Sequence, residues 1–333
     1  MTPPAAPASR PSTTYVEAIR EGIFEEMERD PRVFVLGEDI GVYGGAFKVT
    51  EGLLARFGEE RVVDTPLSET AIVGAAVGAA MMGMRPVAEM QFADFFSCAF
   101  DMITNFAAKS RYRTGVGVPL VVRGPSGGGV HGGPFHSQNP EAYFAHTPGL
   151  KIVQPATASD AKGLIKSAIR DEDPVLFFEH KYLYRRVRDV LPEGDHVVPI
   201  GKAAVRRAGR DLSILTYGAM VWTALDAAAT LESEGIDAEV VDLRTLFPLD
   251  EETLLASVGK TNRAIVLHEA TRSGGIGAEV AAVLAERCFE RLDAPVVRVT
   301  APDTPVPFSP PLEERFLPDA EKLCRAARAL VGY

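Results

Sequence analysis

A chain of 333 residues with 46% hydrophobic and 24% charged residues has apolar material for two ordinary domains, which excludes a disordered chain. The formal net charge of −10 excludes sequence-independent nucleic-acid binding, which relies on Lys and Arg neutralising phosphates. Cys98, Cys288 and Cys324 are far apart and form no CxxC pair, which excludes a cysteine zinc or iron–sulfur centre and suits a reducing, cytoplasmic setting.

Residues 1–13 are rich in Pro and Ala, have neither a hydrophobic signal core nor an Arg/Ser transit pattern, and read as a flexible arm. Thr14 and Glu17 then form a T-x-x-E capping box, with Val16, Ile19, Ile23 and Met27 at helical spacing until Asp30-Pro31 stops the run. A strand at 33–36 closes on Gly37-Glu38-Asp39. The apolar run 71–84 falls short of the roughly 20 residues that span a bilayer, so no membrane segment is expected. Its small residues predict a tightly packed helix instead. Further strands are predicted at 86–90, 120–122, 151–153 and 175–178, with helices at 97–112 and 159–169.

The rhythm breaks over 181–200, where basic residues precede Asp189 and are followed by Pro192 and Gly194. The linker is set at 186–200, between domains at 14–185 and 201–333. The second domain has strands at 213–216, 239–243, 264–267 and 296–299 and a closing helix at 319–330. Short continuous apolar strands alternating with helices predict an α/β fold: two tandem three-layer α/β/α domains with mostly parallel sheets.

Three patterns mislead. Gly124-Pro125-Ser126-Gly127-Gly128 matches the hydrolase G-x-S-x-G elbow, but the chain continues into more glycine and Pro134 where a helix must start. Gly275-Ile276-Gly277 lacks the third glycine of a dinucleotide fingerprint, since position 280 is Val280. No Gly-Lys-Ser/Thr ending makes the glycine-rich stretch a phosphate loop. The stretch still needs a reason, because Gly124 to Gly133 holds six glycines and leads into His136-Ser137-Gln138. Of the six histidines, His131, His136 and His146 lie in or near it; their spacing suits no metal site, whereas one of them could move a proton. Glu69 opens the small-residue helix. Alone, it complements the helix dipole; half-buried against an apolar helix, it could share a proton with a ligand nitrogen.

These residues resemble a known family. Asp64 to Glu69 followed by Ala71-Ile72-Val73-Gly74-Ala75-Ala76, together with Gly37-Glu38-Asp39-Ile40-Gly41, the stretch 85–94 and His136-Ser137-Gln138, look like the β subunit of the decarboxylating component of the pyruvate and branched-chain 2-oxo acid dehydrogenases. So do Asp160 to Leu164, Asp242 to Thr245 and Ala301 to Thr304, and the likeness runs from about residue 14 to 333.

The resemblance implies a thiamine-diphosphate pyrimidine-binding domain followed by a transketolase C-terminal-like domain. It also implies that Glu69 hydrogen-bonds the ring nitrogen of the cofactor's aminopyrimidine and so favours the tautomer that removes the thiazolium proton. Leu67, Gln91 and Phe95 match positions lining the pyrimidine pocket, Phe95 standing where some branched-chain enzymes have Tyr. His136 matches the histidine that handles the acyl intermediate and its transfer to a lipoyl group. Leu120, Ala168, Ile169, Asp171 and Asp173 match a structural potassium site built mainly from backbone oxygens.

Thiamine-diphosphate enzymes hold magnesium and the diphosphate through a Gly-Asp-Gly motif, and none occurs in this chain. The resemblance therefore implies an α subunit that holds the magnesium and shares the cofactor in a two-α, two-β heterotetramer. It further implies a lipoyl-bearing dihydrolipoamide acyltransferase core as partner, docked on the C-terminal domain with the acidic surface facing a basic module. The expected reaction is oxidative decarboxylation of a small 2-oxo acid with acylation of lipoyl. The stretch 131–142 looks more like branched-chain enzymes and 163–171 more like pyruvate enzymes. Half of a split transketolase-like ketol transferase and a non-catalytic assembly subunit are the alternatives, against which the HSQ triplet and the retention of Glu69 and His136 stand.

Overall fold

The computed structural model describes residues 12–333. Most of the expected arm, residues 1–11, lies outside the described residues; Thr13–Thr14 form a short strand antiparallel to Arg188–Asp189. Thr14 then caps the helix Tyr15–Arg29 through the reciprocal box with Glu17. Its apolar stripe, Tyr15, Val16, Ile19, Ile23 and Met27, is buried. The helix packs against Ala158–Arg170, and Ile165 leaves no space for a Cβ at Gly22. Ion pairs from Lys162 and Lys166 to Glu25, and from Arg170 to Glu26, lace the two helices together.

The first sheet runs Val62–Asp64, Val33–Gly37, Arg85–Glu89, Val121–Ser126, Val175–His180 and Lys151–Val153 in spatial order, all parallel. A strand with both faces covered is largely apolar, and Val175–His180, apolar over its first four residues, is buried at every position. The period of two sends Val121 and Phe177 into one core and Val122, Leu176 and Phe178 into the other. Thr245–Phe247, from the second half, completes this sheet antiparallel to Lys151–Val153. The second sheet places Val297–Ala301, Ala264–Thr271, Leu212–Thr216 and Ala238–Asp242 in parallel order, with Ala204–Arg207 antiparallel at the edge. Both cores draw residues from both halves, so the domains are packed rather than tethered.

One segment differs from its sequence reading. The helix expected at 97–112 divides into a 3-10 segment Ala93–Ala99, a wide π-helical segment Met102–Ala107 and a short helix Ser110–Thr114. Apolar spacing alone cannot distinguish these windings, and wide turns recur beside functional sites. The 186–200 stretch is strapped down: Asp195 pairs with Lys166 and Arg170, the His196 ring meets Ser159, and Val198 donates its N–H to the Gly163 carbonyl.

Candidate active site

In parallel sheets, ligands bind beyond the carboxyl ends of the strands. Four neighbouring strands end here on chemically active residues. Val33–Gly37 leads into Glu38 and Asp39, Val62–Asp64 into Leu67 and Glu69, Arg85–Glu89 into Gln91 and Phe95, and Val121–Ser126 into the glycine-rich stretch and His136.

Glu69 is the first residue of the helix Glu69–Met81 and is half-buried. Ile72, Val73, Ala76, Val77 and Ala80 bury one face of that helix against the sheet and the Ala93–Ala99 segment. The Thr70 hydroxyl fastens the junction by donating to the Cys98 carbonyl. Its other face, Ala71, Ala75, Gly78 and Met81, is exposed, and Leu67 just before it is 77% exposed. Behind Glu69 lies Glu38, buried, with Oε1 unpartnered. Burial, and then the charges of Glu69 and Asp39, raise the Glu38 carboxyl above its ordinary range, against a lowering by the Ser68 backbone.

Across the rim, Gln91 Nε2 donates to Asp39 Oδ2 at 3.1 Å. Asp39 takes a left-handed backbone (φ 57°), a strained choice for a residue other than glycine and one common at sites. The His136 ring meets Phe92 edge-on at 4.6 Å and Phe95 at 5.7 Å. Gln138, two residues on, is held by Asp94, which accepts from its backbone N–H at 3.1 Å and its side-chain amide at 2.8 Å. The structure thus groups Gln91, Phe95 and His136 on one rim and sets Leu67 and Glu69 at the head of the neighbouring helix. Ser126, by contrast, is fully buried within its strand and unavailable as a nucleophile.

The positions matching a potassium site lie together, but their oxygens already have donors. The Arg85 guanidinium donates to the Ile169 and Asp171 carbonyls at 3.0 and 2.9 Å. Lys151 Nζ sits 2.7 and 2.6 Å from the two Asp171 carboxylate oxygens. The Leu120 carbonyl accepts from Val175, that of Ala168 from Asp171, and the Asp173 carboxylate from Arg111. A potassium ion here would have to share these oxygens with Arg85, Lys151 and Arg111.

Toward thiamine diphosphate the residues fit one half of the group. A half-buried carboxyl at a helix head, an orphaned carboxyl oxygen behind it, and the apolar Leu67 and Phe95 suit an aminopyrimidine. For a magnesium diphosphate, the described residues contain no cluster of three or more His, Cys, Asp or Glu able to hold a metal. The sequence motifs do not by themselves assign Glu38, Asp39 or Phe92 a site role. The signal for the first two is their place directly after a buried strand.

Among the described residues no helix is long and apolar enough to cross a membrane. Comparisons with known proteins agree with the geometry. Residues 12–187 match the family described as transketolase, pyrimidine binding domain, and residues 201–323 the family described as transketolase, C-terminal domain. The 2-oxoisovalerate dehydrogenase subunit beta of Bacillus subtilis (strain 168) is 54% identical over 323 residues, covering 96% of this chain and 99% of the relative. The pyruvate dehydrogenase E1 component subunit beta of the same organism is 48% identical over 322 residues, covering 96% and 99%. A solved structure of a split-gene transketolase, an inactive β4 tetramer, superposes with a TM-score of 0.79 at 26% identity, covering 97% of this chain and 99% of that one. With both transketolase domains in tandem and such relatives along nearly its whole length, the chain belongs to the transketolase-like β subunits of the 2-oxo acid dehydrogenases.

Proposed function

We propose that this chain supplies the pyrimidine half of a thiamine-diphosphate site that oxidatively decarboxylates a branched-chain 2-oxo acid of the 2-oxoisovalerate type and passes the acyl group to lipoyl. The observation that carries the reading is Glu69, half-buried at the head of its helix with Glu38 behind it. When bound, the cofactor provides the nucleophile and the electron sink for decarboxylation. Glu69 holds a proton at the pyrimidine ring nitrogen. Leu67 and Phe95 cover the ring, Gln91 orients it from the Asp39 side, and His136 moves a proton at the acyl group during transfer.

The other half of the site comes from an α subunit. This chain has no Gly-Asp-Gly, and its exposed helix face of Ala71, Ala75, Gly78 and Met81 beside Leu67 is an apolar surface at the site's open side. The related inactive β4 tetramer is consistent with a β half that does not work alone. We expect a two-α, two-β heterotetramer in which the partner holds magnesium, serving a lipoyl-bearing acyltransferase core in the cytoplasm. Identity of 54% to the 2-oxoisovalerate relative against 48% to the pyruvate relative favours the branched-chain substrate. Both substrates should be assayed on the assembled complex with Glu69→Gln alongside. Turnover of 2-oxoisovalerate above pyruvate, lost in the variant, supports the reading; full turnover by Glu69→Gln would refute it.

A further inference from the structure

The glycine-rich stretch between Ser126 and His136 wraps two carboxylates of the same chain. Gly127, Gly129 and His131 all take left-handed backbone (φ 82°, 77° and 61°), alternating with ordinary residues. Such alternation turns successive N–H groups to one side and forms a nest for negative charge. Two carboxylates from the C-terminal half fill it. Glu269, at the end of Ala264–Thr271, accepts from the Gly128 N–H and, at 2.9 Å, from Asn139, while His180 lies 2.8 Å from its other oxygen. Glu313, on the short helix Pro310–Phe316, accepts from the Gly129 N–H at 3.1 Å and the His131 N–H at 3.1 Å. The His131 Nδ1 lies 2.7 Å from the same carboxylate, which is 1% exposed.

Burial would raise the Glu269 carboxyl, but His180 and the donors from Gly128 and Asn139 hold it down to about 2. Both side chains are buried, and a buried carboxylate persists only where donors neutralise it, so the nest and its anions require each other. Even a Cβ at Gly127 would strike the His180 ring.

We propose that Glu313 is a positioning residue: its carboxylate, beside that of Glu269, is a resident anion of the nest and sets the backbone that delivers His136 to the rim. The C-terminal half thereby governs the acyl-transfer step. Control of acyl transfer by the C-terminal half rests on the role of His136 proposed above; the anchoring of the nest by Glu313 does not.

The test uses the chain assembled with its Gly-Asp-Gly-bearing partner and compares Glu313→Gln with Glu314→Gln, an exposed neighbour. Backbone amide exchange over residues 128–131 should accelerate in Glu313→Gln alone. Acylation of a free lipoyl domain should fall about tenfold or more, as misplacement of a reacting group does. Oxidation of the same 2-oxo acid by ferricyanide, which needs no acyl transfer, should fall far less. Unchanged exchange, or equal losses in both assays, overturns the proposal. His136→Ala separates the two readings: if it leaves acylation intact, the role of His136 fails while the exchange result still judges the nest. Should Glu313→Gln not assemble, His131→Asn removes the ring contact and must show the same exchange change, smaller in size.

Discussion

Two groups of buried carboxyls sit at or near the ends of neighbouring strands, and they behave differently. Glu89 and Glu179 flank the fully buried Arg123. Glu179 accepts two of its N–H groups and the Tyr184 hydroxyl, at 2.7 Å, while Glu89 accepts a third. Burial still pushes the Glu89 carboxyl up to about 7 against the pull of Arg123. Glu38 is buried too, but it has Glu69 for a neighbour instead of an arginine and keeps one oxygen without a partner. A perturbed carboxyl is therefore no sign of a site by itself. A carboxyl paired with a buried guanidinium is architecture; one that faces another carboxyl and keeps a buried oxygen open at the sheet's carboxyl edge is where a ligand is expected.

The contrast can be broken most forcefully at its two ends. Glu69→Gln in the assembled complex should reduce turnover about a thousandfold, within the range of positioned proton transfer, and leave the melting temperature unchanged. Arg123→Met should do the reverse. Glu89 and Glu179 would be left without their cation, which costs about 3–5 kcal/mol for a broken buried pair, read by denaturant unfolding. If Arg123→Met were as stable as the parent, the architectural reading of that cluster would be wrong.

Glu141 sharpens the comparison as an intermediate case. Tyr217 from the second half donates to its Oε1 at 2.6 Å, while Oε2 has no partner. Burial raises its carboxyl to about 7. Because the folded value exceeds the ordinary 4.5, this proton's stabilisation is complete below pH 4.5 and is lost as pH rises through about 7. Unfolding midpoints should fall between about pH 4.5 and about pH 7, and Glu141→Gln should remove its share of that fall. Glu89, Glu38 and Asp242, raised in the same sense, add to the fall, and His268, which burial holds down to about 4, opposes it. The smallest effect is expected at the potassium-like positions. With Lys151 and Arg85 already on the oxygens, replacing potassium by sodium should leave the melting temperature unchanged and alter activity by less than about twofold. A large potassium requirement would mean that those cations move aside.

Much of this was legible in the sequence where one local signal sufficed. The Thr14–Glu17 box and the spacing of Val16, Ile19 and Ile23 located the first helix because both act within a few residues. Glu69, Gln91 and His136 were named from motifs, and the fold put them on adjoining strand ends. Nothing local marks Thr245–Phe247 as a strand, since three residues carry no period and its partner lies far earlier in the chain. Glu313 was invisible for the same reason: it acts on Gly129 and His131, more than 180 positions away. The glycines of the nest were conspicuous, but nothing near them in sequence said that their anion was internal.

The central claim is that two polypeptides complete one cofactor site, and calorimetric titration of magnesium and thiamine diphosphate tests it most directly. The chain alone should bind no more tightly than millimolar, whereas the chain with its Gly-Asp-Gly partner should bind at about micromolar, a gain of roughly 4 kcal/mol. Micromolar binding by the isolated chain would contradict the account.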